Sequence, residues 1–202
     1  FYPRDPVVLE RTVRELLAGV PESDSAPATV FIAPHAGYVY SGRVAASAYA
    51  NLARAAHVQR VVLLGPTHRV PVRGLALPGA THLATPLGGV PVDHDGAALA
   101  ATLPQVVTRP DVHRHEHSLE VHLPFLQVVI PTARLVPLAV GEVAPDAVAD
   151  VLDALVIGET AVVVSSDLSH HLTHEEARRT DAATLGEILA LREVQPGDAC
   201  GA

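Results

Sequence analysis

Buried-type strands alternate with amphipathic helices along the 202 residues of this chain, and this alternation predicts an α/β fold. The strand segments are near-continuous apolar runs, such as VVLL at residues 61–64, which are typical of parallel strands covered on both faces. The expected architecture is a three-layer α/β/α sandwich with a mostly parallel central sheet. No linker, repeat or low-complexity tract interrupts the sequence pattern, so residues 1–202 are interpreted as a single domain.

The first half begins with a helix and a strand. Asp5 and Pro6 read as an N-cap and a proline at the first helical position, and apolar residues at helical spacing continue up to Gly19. Residues 29–33 are the first predicted strand. The following elements are expected to be a helix marked by Val44, Ala45, Ala48 and Leu52, a strand at residues 60–64, and short antiparallel strands or a hairpin within residues 72–92.

The second half repeats the alternation. Asp93 or Asp95 is expected to cap a short helix through Leu103, and an apolar helical pattern runs from Ser118. Pro124 lies inside that pattern and should kink the helix or limit its first turns. The remaining expected elements are a strand at residues 135–140, a helix from Pro145 to Leu155, a strand at residues 160–164, and a helix opened by the capping box of Thr173 and Glu176.

Composition narrows the function classes. A net charge of −8 without a basic cluster argues against nucleic acid as a partner, because phosphate binding requires a basic patch. No apolar run reaches the roughly 20 residues that span a bilayer, so no membrane segment is expected. Cys200 is the single cysteine, so no internal disulfide forms, and a cytoplasmic location is predicted. The 12 histidines are a high count of potential metal ligands and acid–base groups.

Polar side chains follow three of the predicted strands. His35 follows the strand at residues 29–33, His68 follows the strand at 60–64, and Asp167 and His170 follow the strand at 160–164. Ligands of open α/β sheets bind at the carboxyl ends of the strands, so these side chains are expected to converge. A capping aspartate or a packed histidine is the commoner role for any one of them alone. The threefold repetition favours a shared site.

Five sequence words, PHAGYVYSG, LLGPTHR, EHSLEVHLPFLQ, SSDLSHH and DACGA, occur in this order and closely resemble the Memo family, including its bacterial members. Phe1, Tyr2 and Pro3 are similar to an early signature of that family. The resemblance covers essentially the whole chain and implies a fold similar to class III extradiol dioxygenases. It also implies that a C-terminal portion of the Memo-like domain is missing from residues 1–202, and the absence of methionine predicts that a few N-terminal residues are missing as well.

The resemblance implies a metal site formed by His35, His68 and Cys200, with Asp167 and His170 beside it. In the dioxygenases a carboxylate accompanies two histidines on iron, and here a thiolate would take its place. A thiolate is softer and suits Cu(I), Zn(II) or Fe(II), so the ligands do not identify the metal. With the resemblance, Fe(II) or copper is expected as the cofactor, with zinc as a further option. Taken without the resemblance, Cys200 would be interpreted as a lone buried or terminal thiol.

The EHSLEVH word adds further candidates. The five residues from His115 to Leu119 do not match the zinc-protease pattern H-E-x-x-H, because Leu119 occupies the position of the second histidine. The functional interpretation makes Asp167, His170 and His117 the catalytic acid–base groups. The same interpretation assigns pocket-lining or ligand-supporting roles to Tyr38, Tyr40, Glu116, Glu120 and His122. The structural alternative makes these residues caps, surface polar groups or amphipathic cover.

The leading functional hypothesis is an iron- or copper-dependent redox role, dioxygenase-like in fold, within a radical-SAM-associated modification pathway. The resemblance implies a radical-SAM enzyme and a small partner domain as partners, and a small molecule or a protein side chain as substrate. One alternative is a non-catalytic pocket protein that binds a peptide or a small anion, and another is a copper-sequestering protein. The sequence lacks G-x-G-x-x-G, P-loop and G-x-S-x-G motifs, so nucleotide-binding and serine-hydrolase functions lose their usual support.

Overall fold

A computed structural model describes residues 1–24, 26–55, 57–192, 194 and, by their backbone, 199–200. The helices are α1 (Pro6–Ala18), α2 (Tyr38–Leu52), α3 (His94–Ala100), α4 (Pro110–His113), α5 (Leu123–Val129), α6 (Pro145–Leu155) and α7 (His174–Leu189), with a 3-10 turn at Glu120–His122. The strands are β1 (Val30–Ala33), β2 (Arg60–Pro66), β3 (Leu75–Leu77), β4 (His82–Thr85), β5 (Gly88–Pro91), β6 (Val106–Thr108), β7 (Arg134–Val140), β8 (Thr160–Ser165), β9 (Leu168–Ser169) and β10 (Ala199–Cys200).

The central sheet has six strands in the order β1-β8-β2-β7-β3-β6. Strands β1, β8, β2 and β7 are parallel, and β3 pairs antiparallel with β7. One hydrophobic core contains side chains of α1, α2 and α5, and a second contains side chains of α3 and α6. The predicted three-layer architecture with a mostly parallel sheet is therefore confirmed.

Helix α1 follows its predicted pattern. Asp5 accepts a hydrogen bond from the Val8 backbone at 2.9 Å, and Leu9 and Val13 are fully buried.

The helical pattern predicted from Ser118 begins as the 3-10 turn and continues as α5. Pro124 lies in the first turn of α5, where a backbone N–H would have no partner within the helix, so the proline costs no hydrogen bond.

Helix α2 begins earlier than the sequence pattern predicts. Gly37 is its N-cap and Tyr38 its first residue, so Tyr38 and Tyr40 lie in the first helical turn rather than in the preceding loop. The Tyr38 backbone N–H donates to the Phe1 carbonyl at 2.8 Å, which joins the start of α2 to the first residue of the chain. Residues 82–91 form the expected hairpin, β4–β5. Among the described residues, no helix has the length and hydrophobicity to cross a membrane.

An ion pair links the amino-terminal edge of the sheet to helix α3. Asp93 caps α3 by accepting from the Gly96 N–H at 3.1 Å, and its second oxygen accepts from Arg60 at the start of β2. Burial alone would raise the pKa of Asp93, but the hydrogen bonds from Gly96 and Arg60 outweigh burial and lower it. A lowered folded-state pKa stabilises the fold above the unfolded-state pKa of about 3.9, and this stabilisation is lost as the pH falls through the folded-state value.

Replacing Asp93 with asparagine should lower the free energy of unfolding at neutral pH by about 1–3 kcal/mol, because a half-buried guanidinium loses its charged partner. Denaturant unfolding of wild type and Asp93→Asn, followed from pH 7 to pH 3, measures the difference, which should shrink below about pH 4. The matched control is Asp95→Asn, an exposed first-turn residue of the same helix. A pH-independent difference, or an equal loss in the control, would contradict this account.

Candidate metal centre

The three strand ends that were predicted to converge are neighbours, because β8 lies between β1 and β2 in the sheet. His35, His68 and Asp167 each stand two residues beyond the last residue of their strand. The ring centroids of His35 and His68 are 5.3 Å apart, and Asp167 Oδ2 lies 3.7 Å from His35 Nε2. The structure thus brings these three side chains together at one edge of the sheet.

A third imidazole reaches the same edge from the loop before the 3-10 turn. The His117 ring stacks on His68 with centroids 4.8 Å apart, and its centroid lies 5.6 Å from that of His35. Each of these three residues, called here the histidine cluster, offers a ring nitrogen, and the three nitrogens lie within 4.8 Å of one another. The sequence predicts an acid–base role for His117, but its position is also that of a ligand.

Ser165, the last residue of β8, orients the His35 ring. Its hydroxyl donates to the Ser118 carbonyl at 2.7 Å, so its oxygen can only accept from the two imidazoles that contact it. Those contacts are His35 Nδ1 at 2.6 Å and His122 Nε2 at 2.9 Å. His35 is therefore protonated on Nδ1, and its lone pair lies on Nε2, the nitrogen that faces the site.

His122 and Tyr49 complete this arrangement inside the core. The Tyr49 hydroxyl donates to His122 Nδ1 at 2.9 Å, which is consistent with a proton on His122 Nε2. Burial, with a smaller contribution from the nearby His35, lowers the pKa of His122 to about 3. Burial also lowers the pKa of His35 to about 4, against the opposing effect of Asp167. Both rings are thus neutral near pH 7, the form in which imidazole binds metals.

Glu116 orients the His68 ring in a similar way. Its buried carboxylate lies 2.8 Å from His68 Nδ1 and accepts a hydrogen bond from the His68 backbone N–H. It also accepts from the N–H groups of His117 and Ser118. Burial alone would raise the pKa of Glu116, but these hydrogen bonds lower it to about 2, so the group stays ionised. A carboxylate that accepts a hydrogen bond from Nδ1–H leaves the lone pair on Nε2 of the same ring, where it can bind a metal.

His117 carries a buried ring nitrogen whose hydrogen bonding is incomplete. Among the described residues, His117 Nδ1 has no hydrogen-bond partner, although Glu116 Oε1 lies 3.4 Å away. Burial lowers the pKa of His117, and the charges of His68 and Arg69 add to this effect, while Glu116 opposes it. A buried, neutral imidazole nitrogen without a partner is expected next to a site that binds an ion or a ligand.

Asp167 serves both the turn and the site. Its Oδ1 accepts from the backbone N–H groups of His35 and Ala36, which fixes the turn after β1. Its Oδ2 lies 3.7 Å from both His35 Nε2 and His170 Nε2. The capping and functional interpretations of Asp167 are therefore compatible, because each uses a different oxygen. Leu168 follows with a φ of 63°, a conformation that bulky residues rarely adopt and that occurs often near functional sites.

For three other predicted pocket residues, none of the described contacts joins them to the histidine cluster. Tyr38 is buried, donates to the Val121 carbonyl at 2.7 Å and packs on Phe125. Tyr40 is 85% exposed, and Glu120 accepts a hydrogen bond from the Tyr2 hydroxyl. Tyr38 thus contributes to the core beneath the site.

The side chain of Cys200 lies outside the described part of the chain. Its backbone pairs antiparallel with Leu168, so β10 runs beside the segment that follows Asp167. The thiolate ligand that the resemblance implies stays a prediction.

Sequence reasoning missed the serines that support the cluster. Ser165 and Ser118 lie inside the SSDLSHH and EHSLEVH words, but only the strand order reveals that they meet. Gly65 permits this contact, because a Cβ at that position would lie 2.9 Å from Ser118 Oγ and 2.8 Å from Leu119 Cδ2. A side chain there would force the end of β2 away from the loop that carries Glu116 and His117.

The donor set fits a first-row transition metal. Nitrogens bound to one ion at about 2 Å lie at most about 4 Å apart, so the cluster would need to contract by less than about 1 Å. His35 and His68 each present Nε2 because a hydrogen bond holds the proton on Nδ1, as is common for metal-binding histidines. Three histidines could therefore hold a metal ion here.

Removing the Ser165 hydroxyl should change which ring nitrogens of His35 and His122 carry the proton. Long-range ¹H–¹⁵N NMR of the wild type should show the Nδ1–H tautomer for His35 and the Nε2–H tautomer for His122. In Ser165→Ala both rings lose their acceptor, so we expect mixed tautomers and a loss of about 1–3 kcal/mol in the free energy of unfolding. The control is Ser47→Ala, which removes an exposed hydroxyl from α2. An Nε2–H tautomer for wild-type His35 would contradict the assignment.

Comparison with known proteins identifies the family of the chain. The sequence model of the Memo-like protein family matches residues 1–199. Proteins named MEMO1 family proteins from Archaeoglobus fulgidus and Aquifex aeolicus are each 35% identical to the chain, over 95% of its length and 72% of theirs. A relative of the same family from Methanopyrus kandleri is 36% identical over 96% of the chain and 74% of its own length. The chain therefore belongs to the Memo-like family.

Proposed function

We propose that this protein binds one iron or copper ion at the histidine cluster and uses it in an oxidation or oxygen-activating reaction. The observation that carries the proposal is the orientation of His35 and His68, whose Nδ1 atoms contact Ser165 and Glu116. A hydrogen bond that holds the proton on Nδ1 leaves the lone pair on Nε2, which is the arrangement common in metal-binding histidines.

The third ligand is a choice between two side chains. His117 is the third imidazole of the cluster, and its unpartnered Nδ1 supports a ligand role. Cys200 is the ligand implied by the family resemblance. Imidazole and thiolate both suit iron, copper and zinc, and a bound metal of the first two kinds would supply one-electron chemistry.

Asp167 and His170 are the proposed proton-transfer groups. The side chain of Asp167 is 13% exposed and that of His170 is 39% exposed, so the pair connects the cluster with solvent. Asp167 Oδ2 lies beside His35 Nε2, where it can hold a proton next to a bound substrate. His170 Nδ1 contacts the Leu168 carbonyl at 3.0 Å, which orients its Nε2 toward Asp167.

The wider context of this reaction rests on the resemblance alone. A radical-SAM enzyme and a small partner domain stay predicted partners, and the protein's place in a modification pathway stays a prediction with them.

Metal content per chain, measured after anaerobic purification and loading with Fe(II) or Cu(I), tests the proposal. We expect about one ion per chain in wild type. His35→Ala and His68→Ala should each lose most of the metal, because each variant removes one of the three protein ligands of the ion. The pair His117→Ala and Cys200→Ala identifies the third ligand by which of them loses metal. The matched control is His82→Ala, an exposed histidine of β4, which should bind metal as wild type does.

Circular dichroism of each variant separates loss of a ligand from loss of the fold. Equal metal content in wild type, folded His35→Ala and folded His68→Ala would refute the metal site.

The proton-transfer role of Asp167 makes a separate prediction. Asp167→Asn keeps an oxygen that can accept from the His35 and Ala36 N–H groups but cannot take up a proton near neutral pH. Oxygen consumption by the metal-loaded protein with a reductant or a catechol should fall about 100-fold while metal content stays unchanged. The control is Asp111→Asn, an exposed residue of α4. Unchanged turnover in Asp167→Asn would remove this residue from the mechanism.

A further inference from the structure

A cavity of about 1090 Å³ opens beside the histidine cluster. It lies over the carboxyl ends of β2, β7 and β8, and His68 and Ser165 form part of its wall. This edge is where open α/β sheets bind their ligands. A molecule in the cavity would therefore contact His68 directly, and the cavity is large enough for a compound of many heavy atoms.

Most of the cavity wall is apolar. Helix α6 contributes Val148 and Leu152, the preceding loop contributes Val143, and the segment after His68 contributes Val70 and Val72. Val143, Val148 and Leu152 are half-buried and pack against the core on the α6 side of the sheet. Such a wall favours an aliphatic or aromatic body, because a polar ligand would lose its hydration there without gaining hydrogen bonds.

The charged residues of the same wall are Arg69, Arg73 and Glu142. Arg73 and Glu142 form an exposed pair at 3.9 Å. In the part of the chain that the structure describes, no carboxylate pairs with Arg69, the residue next to His68. The wall therefore presents an exposed guanidinium without a carboxylate partner among the described residues, in a protein whose net charge is −8.

We propose that this cavity binds the substrate of the metal-dependent reaction, and that this substrate is a small molecule with an apolar body and one carboxylate group. This inference rests on the proposed function. The guanidinium of Arg69 pairs with the carboxylate, a geometry that planar guanidinium groups favour. The apolar body lies against Val143, Val148 and Leu152. The part of the molecule nearest His68 then lies next to the metal centre.

Other ligand classes fit the cavity less well. A cationic ligand would face Arg69 without a carboxylate to pair with, since Glu142 is already paired with Arg73. A sugar or another highly hydroxylated molecule would leave hydroxyl groups against valine and leucine side chains. Arg69 and the long apolar wall together favour an amphiphilic anion.

Calorimetric titration of the full chain with octanoate, octanol and octylamine tests this proposal, with the metal content of every sample recorded. Octanoate should bind wild type about tenfold more tightly than octanol, and octylamine should bind most weakly. Across butanoate, hexanoate and octanoate the affinity should rise about fourfold for each added CH₂ group. Arg69→Gln should abolish the preference for octanoate over octanol and keep wild-type metal content.

The matched control is Arg73→Gln, which removes an arginine of the same wall and should leave the preference for octanoate intact. Octanol or octylamine binding as tightly as octanoate would overturn the proposal, as would an unchanged preference in Arg69→Gln. An affinity that does not depend on chain length would refute the role of the apolar wall. Octanoate binding that depends on Arg69, in a protein that takes up no metal on loading with Fe(II) or Cu(I), would refute the metal function while leaving the ligand class established.

Discussion

The in-register parallel pairing of β1, β8 and β2 is the constraint on which the candidate site depends. Ala33 pairs with Ser165 and Leu64 with Val164, so the three strands end at nearly the same level. Each strand then places a polar side chain two residues further on. A shift of one residue in either pairing would move a strand end by about 3.3 Å and separate these side chains by more than one metal ion can bridge.

Hydrogen bonds then turn a group of nearby rings into an oriented donor set. The Ser165 hydroxyl accepts a hydrogen bond from the His35 Nδ1–H. The Glu116 carboxylate contacts His68 Nδ1 and accepts from the backbone N–H groups of His68 and His117. The supporting groups come from β8 and from the loop before the 3-10 turn, so sheet and loop must pack together before the site exists. The cavity extends from this edge along α6, which places an apolar volume and an arginine beside the rings.

The sequence predicts the fold class and three of the side chains of the site. His35, His68 and Asp167 follow their strands directly, and the apolar sequence pattern reveals those strands. It does not predict that β8 lies between β1 and β2, and so it cannot show that Ser165 bonds both His35 and His122. His117 comes from a loop, where no periodicity fixes the direction of a side chain. Tyr38, a predicted pocket residue, lies in the first turn of α2, and its hydroxyl donates to the Val121 carbonyl in the core, a contact that the sequence pattern does not reveal.

The central claim is that imidazoles of the histidine cluster bind a transition metal at this edge of the sheet. X-ray absorption spectroscopy of the anaerobically loaded protein tests it most directly, because imidazole rings give a distinct multiple-scattering pattern and sulfur gives a longer metal–ligand distance. The account predicts at least two imidazoles on the ion, with a third imidazole or one sulfur at about 2.3 Å completing the protein ligands. A first coordination sphere of oxygen ligands without imidazole scattering would contradict it.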